Sequence, residues 1–175
     1  MQDFSNDHIR TLFRTSQDFN ELFEAFRVAI ERNLNDLDAY RELFWNTSLK
    51  PEELLFFAKK LGEVFPDLGY ETYLWLSNVF ETRFDTEESV ELAFLCLKKA
   101  SKFNPKSVEP FLSACNLYDQ DLKIPTLQSI MAFLKNGVEQ VDDPKSIYQQ
   151  LAVFYSMLGN DEMYRYFQQK SRPNS

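Results

Sequence analysis

Across its 175 residues the chain holds four glycines, two cysteines and one histidine, and its longest apolar run, residues 92–97, is only six long. Each shortage excludes something. With glycine only at 62, 69, 137 and 159, neither G-x-G-x-x-G nor G-x-x-x-x-G-K-[ST] can be written, so both glycine-built phosphate cradles are absent. His8 alone cannot supply a two-histidine zinc motif, and no Glu stands three residues before it to make a di-iron pair. The apolar runs are far short of the ~20 residues that span a bilayer. Cys96 and Cys115 are too few for a disulfide scaffold, and in apolar helical patterns they read as buried free thiols of a reducing cytosol. Met1 to Asp7 lacks a basic stretch leading into an apolar one, so a cytoplasmic location is expected. With 27 Asp plus Glu against 19 Lys plus Arg, the formal charge is −8, which argues against nucleic acid and anionic membrane surfaces as partners.

What is plentiful is aromatic: 17 Phe, 8 Tyr and 2 Trp, a core-building composition. Apolar residues recur at three- and four-residue spacing nearly throughout, with no sustained alternation of period two. Punctuation divides the pattern into ten helices, near 5–15, 17–33, 36–48, 51–65, 69–84, 86–103, 107–120, 124–141, 144–158 and 161–171. Pro51, Pro125 and Pro144 suit first helical turns, Asp85 and Glu88 read as a capping box, and Gly159-Asn160 reads as a stop followed by a cap. Short connections predict antiparallel hairpins, an all-α fold and one domain over 1–175.

A repeat runs through these helices. Small residues late in the second helix of each hairpin, Ala29, Gly62, Ala100, Gly137 and Ser171, are spaced by 33, 38, 37 and 34. Eleven residues after each of the first four comes an aromatic: Tyr40, Tyr73, Phe111 and Tyr148. Fourteen after comes Leu43, Leu76, Ala114 or Leu151, and fifteen after Phe44, Ser77, Cys115 or Ala152. Eighteen after stand Thr47, Phe80, Tyr118 and Tyr155; seven before the small residues stand Leu22, Leu55, Ala93, Ile130 and Tyr164. Small residues let paired helices approach, aromatic knobs fill the gap to the next hairpin, and only stacking buries the apolar face of each unit.

The pattern resembles the tetratricopeptide repeat over about residues 36–171. Tyr148, Leu151, Ala152, Tyr155 and Gly159 match a first helix most closely, and Ala93, Leu97, Ala100 and Asn104-Pro105 a second. Residues 1–35 then form a shortened N-terminal hairpin, 36–171 four repeats and 172–175 a tail, with polar Gln168, Gln169, Lys170 and Arg172 as a terminal cap. Phe44, in a normally small slot, and Lys59, in an apolar one with Ala58 turning inward instead, depart from the family. The resemblance implies a right-handed superhelical solenoid of about five hairpins. It also implies a non-enzymatic protein-interaction module or adaptor holding a peptide or protein segment in its concave groove.

In such a stack, residues one and five beyond each knob line the groove: Arg41 and Trp45, Leu74 and Asn78, Leu112 and Asn116, Gln149 and Val153. Asn78 and Asn116 repeat one slot, in which the family uses Asn to hold a ligand backbone; solvent-facing asparagines are the other reading. With Arg41 as the only basic groove residue, a carboxylate clamp is not expected. Asp38, Glu71 and Glu109 form one acidic row and Glu81 and Asp119 another, which would steer a basic partner or else are a solvated face. Lys98, Lys99, Lys102 and Lys106 complement the C-terminal dipole of their helix or form an anion patch, and Phe84, Leu122 and Ile124 mark a projecting edge. No cofactor or metal site is expected. One histidine near a chain end and carboxylate neighbours at helix starts make an enzyme the poorest reading. An acidic chaperone of secretion clients and a self-assembling structural subunit stay open as alternatives.

Overall fold

The computed structural model describes residues 5–84, 86–119 and 123–172. Ten helices follow in order: α1 (Asn6–Thr15), α2 (Phe19–Glu31), α3 (Leu37–Phe44), α4 (Pro51–Val64), α5 (Pro66–Arg83), α6 (Glu87–Phe103), α7 (Glu109–Asn116), α8 (Leu127–Val138), α9 (Lys145–Met157) and α10 (Asp161–Ser171). Among the described residues there is no strand. α1 packs on α2, α5 on α6, α7 on α8 and α9 on α10, most extensively in the α5–α6 and α9–α10 pairs, and further contacts run through α1–α3, α3–α5, α4–α5, α6–α7, α7–α9 and α8–α9. The chain is an all-helical stack in which each helix packs on near neighbours in sequence.

Much of the core comes from the repeat columns. Tyr40, Tyr73 and Phe111 are buried and Tyr148 half-buried; Leu43, Leu76, Ala114 and Leu151 are fully enclosed. The small-residue column works by contact. A Cβ built on Gly137 would lie 2.6 Å from Cδ1 of Phe111, the knob of the same hairpin. Phe103 is wedged between α4 and α5: a Cβ on Gly62 would lie 3.0 Å from its ring and one on Gly69 only 2.3 Å away. Ala58 is buried and Lys59 exposed, so Ala58 does turn inward.

The helix ends differ from expectation in several places. α3 stops at Phe44, three to four residues early, because the next residues are committed elsewhere. Asn46 is buried and donates through Nδ2 to the Phe13 and Ser16 carbonyls, both at 2.8 Å, while its Oδ1 accepts from Ser48. Arg83 reaches back from α5 to the carbonyls of Leu49 (2.6 Å) and Phe44 (3.4 Å). Thr47 therefore lies outside a helix and is exposed, which empties its column in the first repeat. α5 begins at Pro66, with the proline in its first turn, and Gly69 lies inside the helix. The capping box of α6 is Thr86 with Ser89; Asp85 lies outside the described residues. Pro125 precedes α8, whose cap is Thr126, and Pro144 stands at the N-cap position of α9 without a side-chain capping bond. α7 ends at Asn116, which leaves Asp119 beyond it. Phe84 and Ile124 are half-buried, and Leu122 lies outside the described residues.

Gly159, at φ +68°, closes α9 with bonds from Gly159 N–H to Ser156 and from Asn160 N–H to Tyr155; Asn160 then caps α10 by accepting from Met163. Asn33, at φ 56°, ends α2 in the same way, with Leu34 N–H on the Ala29 carbonyl. α1 and α3 are joined by the Arg10–Asp36 ion pair. The hydrogen bond from Arg10 holds the Asp36 carboxyl below its usual range. Cys96 is buried, whereas Cys115 is only half-buried and donates to the Phe111 carbonyl at 3.4 Å. Loss of hydration pushes both thiols up to about 12.

Three outcomes are expected. Gly137→Ala overpacks Phe111 at a cost of ~1–3 kcal/mol, against ~1 kcal/mol returned by a better helix former, so the unfolding midpoint should fall; a midpoint at or above wild type would contradict the contact. The lowered Asp36 pKa contributes stability above the ordinary carboxylate pKa, lost as pH falls through the folded value. Asp36→Asn, which still caps α3, should therefore cost under ~1 kcal/mol at neutral pH and nothing in strong acid, as read by denaturant titrations at both. Thiolates, not thiols, react, so a disulfide reagent at pH 8 should label neither cysteine in the native protein and both in denaturant.

Candidate functional site on the first-helix face

The first helices of the hairpins present three adjacent columns one, two and five residues beyond each knob, about the width of a helix face. Arg41, Leu74 and Leu112 are half-buried and Gln149 exposed; Glu42, Trp75, Ser113 and Gln150 are half-buried; Trp45, Asn78, Asn116 and Val153 are all exposed. Glu81 is exposed one turn beyond Asn78 on α5, and Asp119 is exposed after α7.

At the N-terminal end of this face lies a cavity of about 440 Å³, lined by Arg14 of α1, by Arg41, Glu42, Trp45, Asn46 and Thr47 in and after α3, and by Trp75 of α5. It brings together Arg41 and Trp45 but none of the other expected groove residues. The two indoles meet with centroids 6.3 Å apart at 56°. Arg41 covers one face of Trp75, its Cζ 4.9 Å from the ring centroid. Its guanidinium donates to Asp38 at 3.0 Å and lies 3.8 Å from Glu71, tying α3 to α5. Trp45 is 48% exposed. Around the cavity, Arg41 Nε, Glu42 Oε2 and Trp75 Nε1 are buried without a hydrogen-bond partner; the only other such side-chain atom among the described residues is Thr72 Oγ1.

The first acidic row is largely engaged already. Asp38 and Glu71 share Arg41, and Glu109 accepts from the Tyr70 hydroxyl at 2.9 Å, which also meets Ser107 Oγ at 2.7 Å. Glu81 makes no ion pair among the described residues. The lysine cluster is used locally: Lys98 sits over Phe94, Lys99 over Tyr73, and Lys106 pairs with Asp142 at 3.6 Å.

Sequence reasoning missed Trp75, Glu42 and Arg14. One signal was available: the chain's two tryptophans are separated by 30 residues, close to one repeat. It also missed an apolar depression of about 310 Å³ between α2 and α4, with Phe23, Ile30, Phe56 and Val64 in its lining. There the rim charges pair among themselves, Arg27 with Glu24 and Glu31, and Lys60 with Glu63. No group of three metal-ligating side chains occurs among the described residues, and no helix there is long and apolar enough to cross a membrane.

The crystal structure of MamA matches this fold over 95% of the present chain and 91% of its own, with a TM-score of 0.51 and 15% identity. TTC0263, a thermophilic TPR protein in Thermus thermophilus, aligns over 95% and 90% at 22% identity with a TM-score of 0.46. No family model and no curated protein sequence matches the chain. Buried columns, small-against-aromatic hairpins and this likeness together make the chain a tetratricopeptide-like helical repeat protein in fold.

Proposed function

We propose that the chain is a non-enzymatic protein-interaction module that holds a protein or peptide segment along its first-helix face. The observation that carries this reading is the half-exposed Trp45 beside the cavity at the N-terminal end of that face. Large amphipathic rings at the edge of a pocket are where binding energy concentrates. Farther along the face, Asn78 and Asn116 each offer a donor and an acceptor suited to a peptide group. Leu74 and Leu112 provide the apolar floor, and Gln149 and Val153 continue the surface onto α9. Glu81 and Asp119 supply negative charge that would steer a basic flank of the partner. The apolar depression between α2 and α4 favours a second reading, in which the chain shields an aggregation-prone client as an acidic chaperone.

The test is quantitative co-purification from native lysate with wild type and two folded variants. Trp45→Ala should weaken the partner by roughly 30-fold or more, the cost of a ~2 kcal/mol anchor. Glu81→Lys should weaken it less and flatten its salt dependence. Binding unaffected by both, yet lost on Phe23→Ser or Phe56→Ser, would move the function to the α2–α4 surface.

A further inference from the structure

The second helices of the first two hairpins leave an apolar face of their own. Phe19 and Phe23 of α2 and Phe56 and Val64 of α4 are all exposed. Their rings form one surface, with Phe19 to Phe23 and Phe23 to Phe56 both at 6.1 Å between centroids. The depression of about 310 Å³ lies beside them. The two helices run the same way, since Phe19 at the head of α2 meets Phe57 in the first half of α4, and Asn35, after α2, donates to Asp67, after α4, at 2.9 Å. The rings also fix how the helices are levelled. Phe57 stands between Phe19 and Phe26, at 5.9 and 4.8 Å, so it is abreast of Phe23. At the common rise of about 1.5 Å per residue, Lys60 then comes level with residue 26 and Glu63 with residue 29. Along the face α2 therefore presents Glu24 and then Arg27, an ion pair, while α4 presents Lys60 and then Glu63, an ion pair of the opposite order. Glu31 and Lys59 complete these rims and leave them without net charge. Copies of a chain of net charge −8 repel over most of their surface. A neutral apolar face is where two of them can meet.

We infer that the α2–α4 face pairs with the same face of a second copy, about a two-fold axis lying along the depression. That axis lays α2 of one copy on α4 of the other, in the same direction. Phe23 then meets Phe56 of the second copy, Glu24 meets its Lys60 and Arg27 meets its Glu63, and every contact occurs twice. A two-fold axis across the helices would lay each helix on its own copy; the register that sets Glu24 against Arg27 then brings Lys60 onto Lys60, which like charge opposes. The face thus supplies its own complement in only one of the two arrangements. Its size sets the strength. Two helices about 20 Å long and together about 20 Å wide present roughly 400 Å² of projected face, half of the ~800 Å² per partner in a stable complex. The dimer is accordingly a weak one, with a Kd on the order of 10–100 µM. This pairing stands apart from the first-helix-face reading, and it covers the depression that the client-shielding reading leaves bare.

Sedimentation velocity on the full chain from about 5 to about 500 µM reads the pairing. The wild type should pass from monomer to dimer across that range, and Phe56→Ser should shift the transition at least about tenfold upward. The decisive arm uses two charge reversals, each checked by circular dichroism for an unchanged helical signal. Glu24→Lys alone sets lysine against Lys60 twice, and Lys60→Glu alone sets glutamate against Glu24 twice, so each should dimerise at least about fivefold more weakly than wild type. Mixed in equal amounts, the two variants restore both pairs and should recover a dimer within about threefold of wild type. No other partner predicts that recovery, because only in a self-pair do both charges come from this chain. A wild type that stays monomeric to the highest concentration, a dimer indifferent to Phe56→Ser, or a mixture no better than its components overturns the inference. So does a monomeric wild type that keeps a reduced, unfolded test protein in solution and loses that effect on Phe56→Ser, which gives the face to a client instead.

Discussion

The contact on which the architecture depends is a ring pressed against a place with no side chain. Phe111 occupies the position a Cβ of Gly137 would need, and Phe103 does the same to Gly69 and, less tightly, to Gly62. These contacts set how closely the helices of a hairpin approach, and so how much of each apolar face remains for the next hairpin to cover. Ala29 and Ala100, both fully buried, mark the same slot where a methyl group fits. The price is rigidity of specification: neither partner can grow without displacing the other.

The candidate site arises where this regularity is broken. α3 has eight residues because Asn46 is turned back onto the end of α1 and Arg83 comes up from α5 to take the carbonyls of Phe44 and Leu49. A full-length helix would carry Trp45 and Thr47 in its last turn; the early stop leaves Trp45 as the half-exposed end of α3, next to Trp75. Arg41 then serves both neighbours, stacked on one indole and paired with Asp38 and Glu71, with its Nε unmatched. Lost repeat order has left an indole exposed.

Much of this was legible in the sequence, for a definite reason. Burial columns depend on spacing along the chain, and Tyr40, Tyr73, Phe111, Leu43, Leu76 and Leu151 fall inside because helical period and repeat length dictate it. Helix ends were less legible when set at a distance. Nothing local to residues 44–48 announces that Asn46 bonds groups 30 and 33 residues earlier. Pro66 offers a local start for α5 three residues before the expected one, and Gly69, inside the helix, admits Phe103. The α6 cap slipped by one residue because Asp85 and Thr86 are both good cap residues. Trp75 was missed because its half-burial comes from Arg41 on another helix, a pairing that no spacing encodes.

The ties between hairpins are all short in chain distance. Tyr70 to Glu109 and Arg83 to Phe44 each span 39 residues, about one repeat, and the Asn46 bonds span less. A chain wired this way has little need to wait for its far end. Each hairpin emerging from the ribosome finds its partner among residues just synthesised, so the stack can be assembled in the order in which it is made. The entropic cost of closing long loops, which slows proteins with distant pairings, is replaced by a series of small closures of similar size.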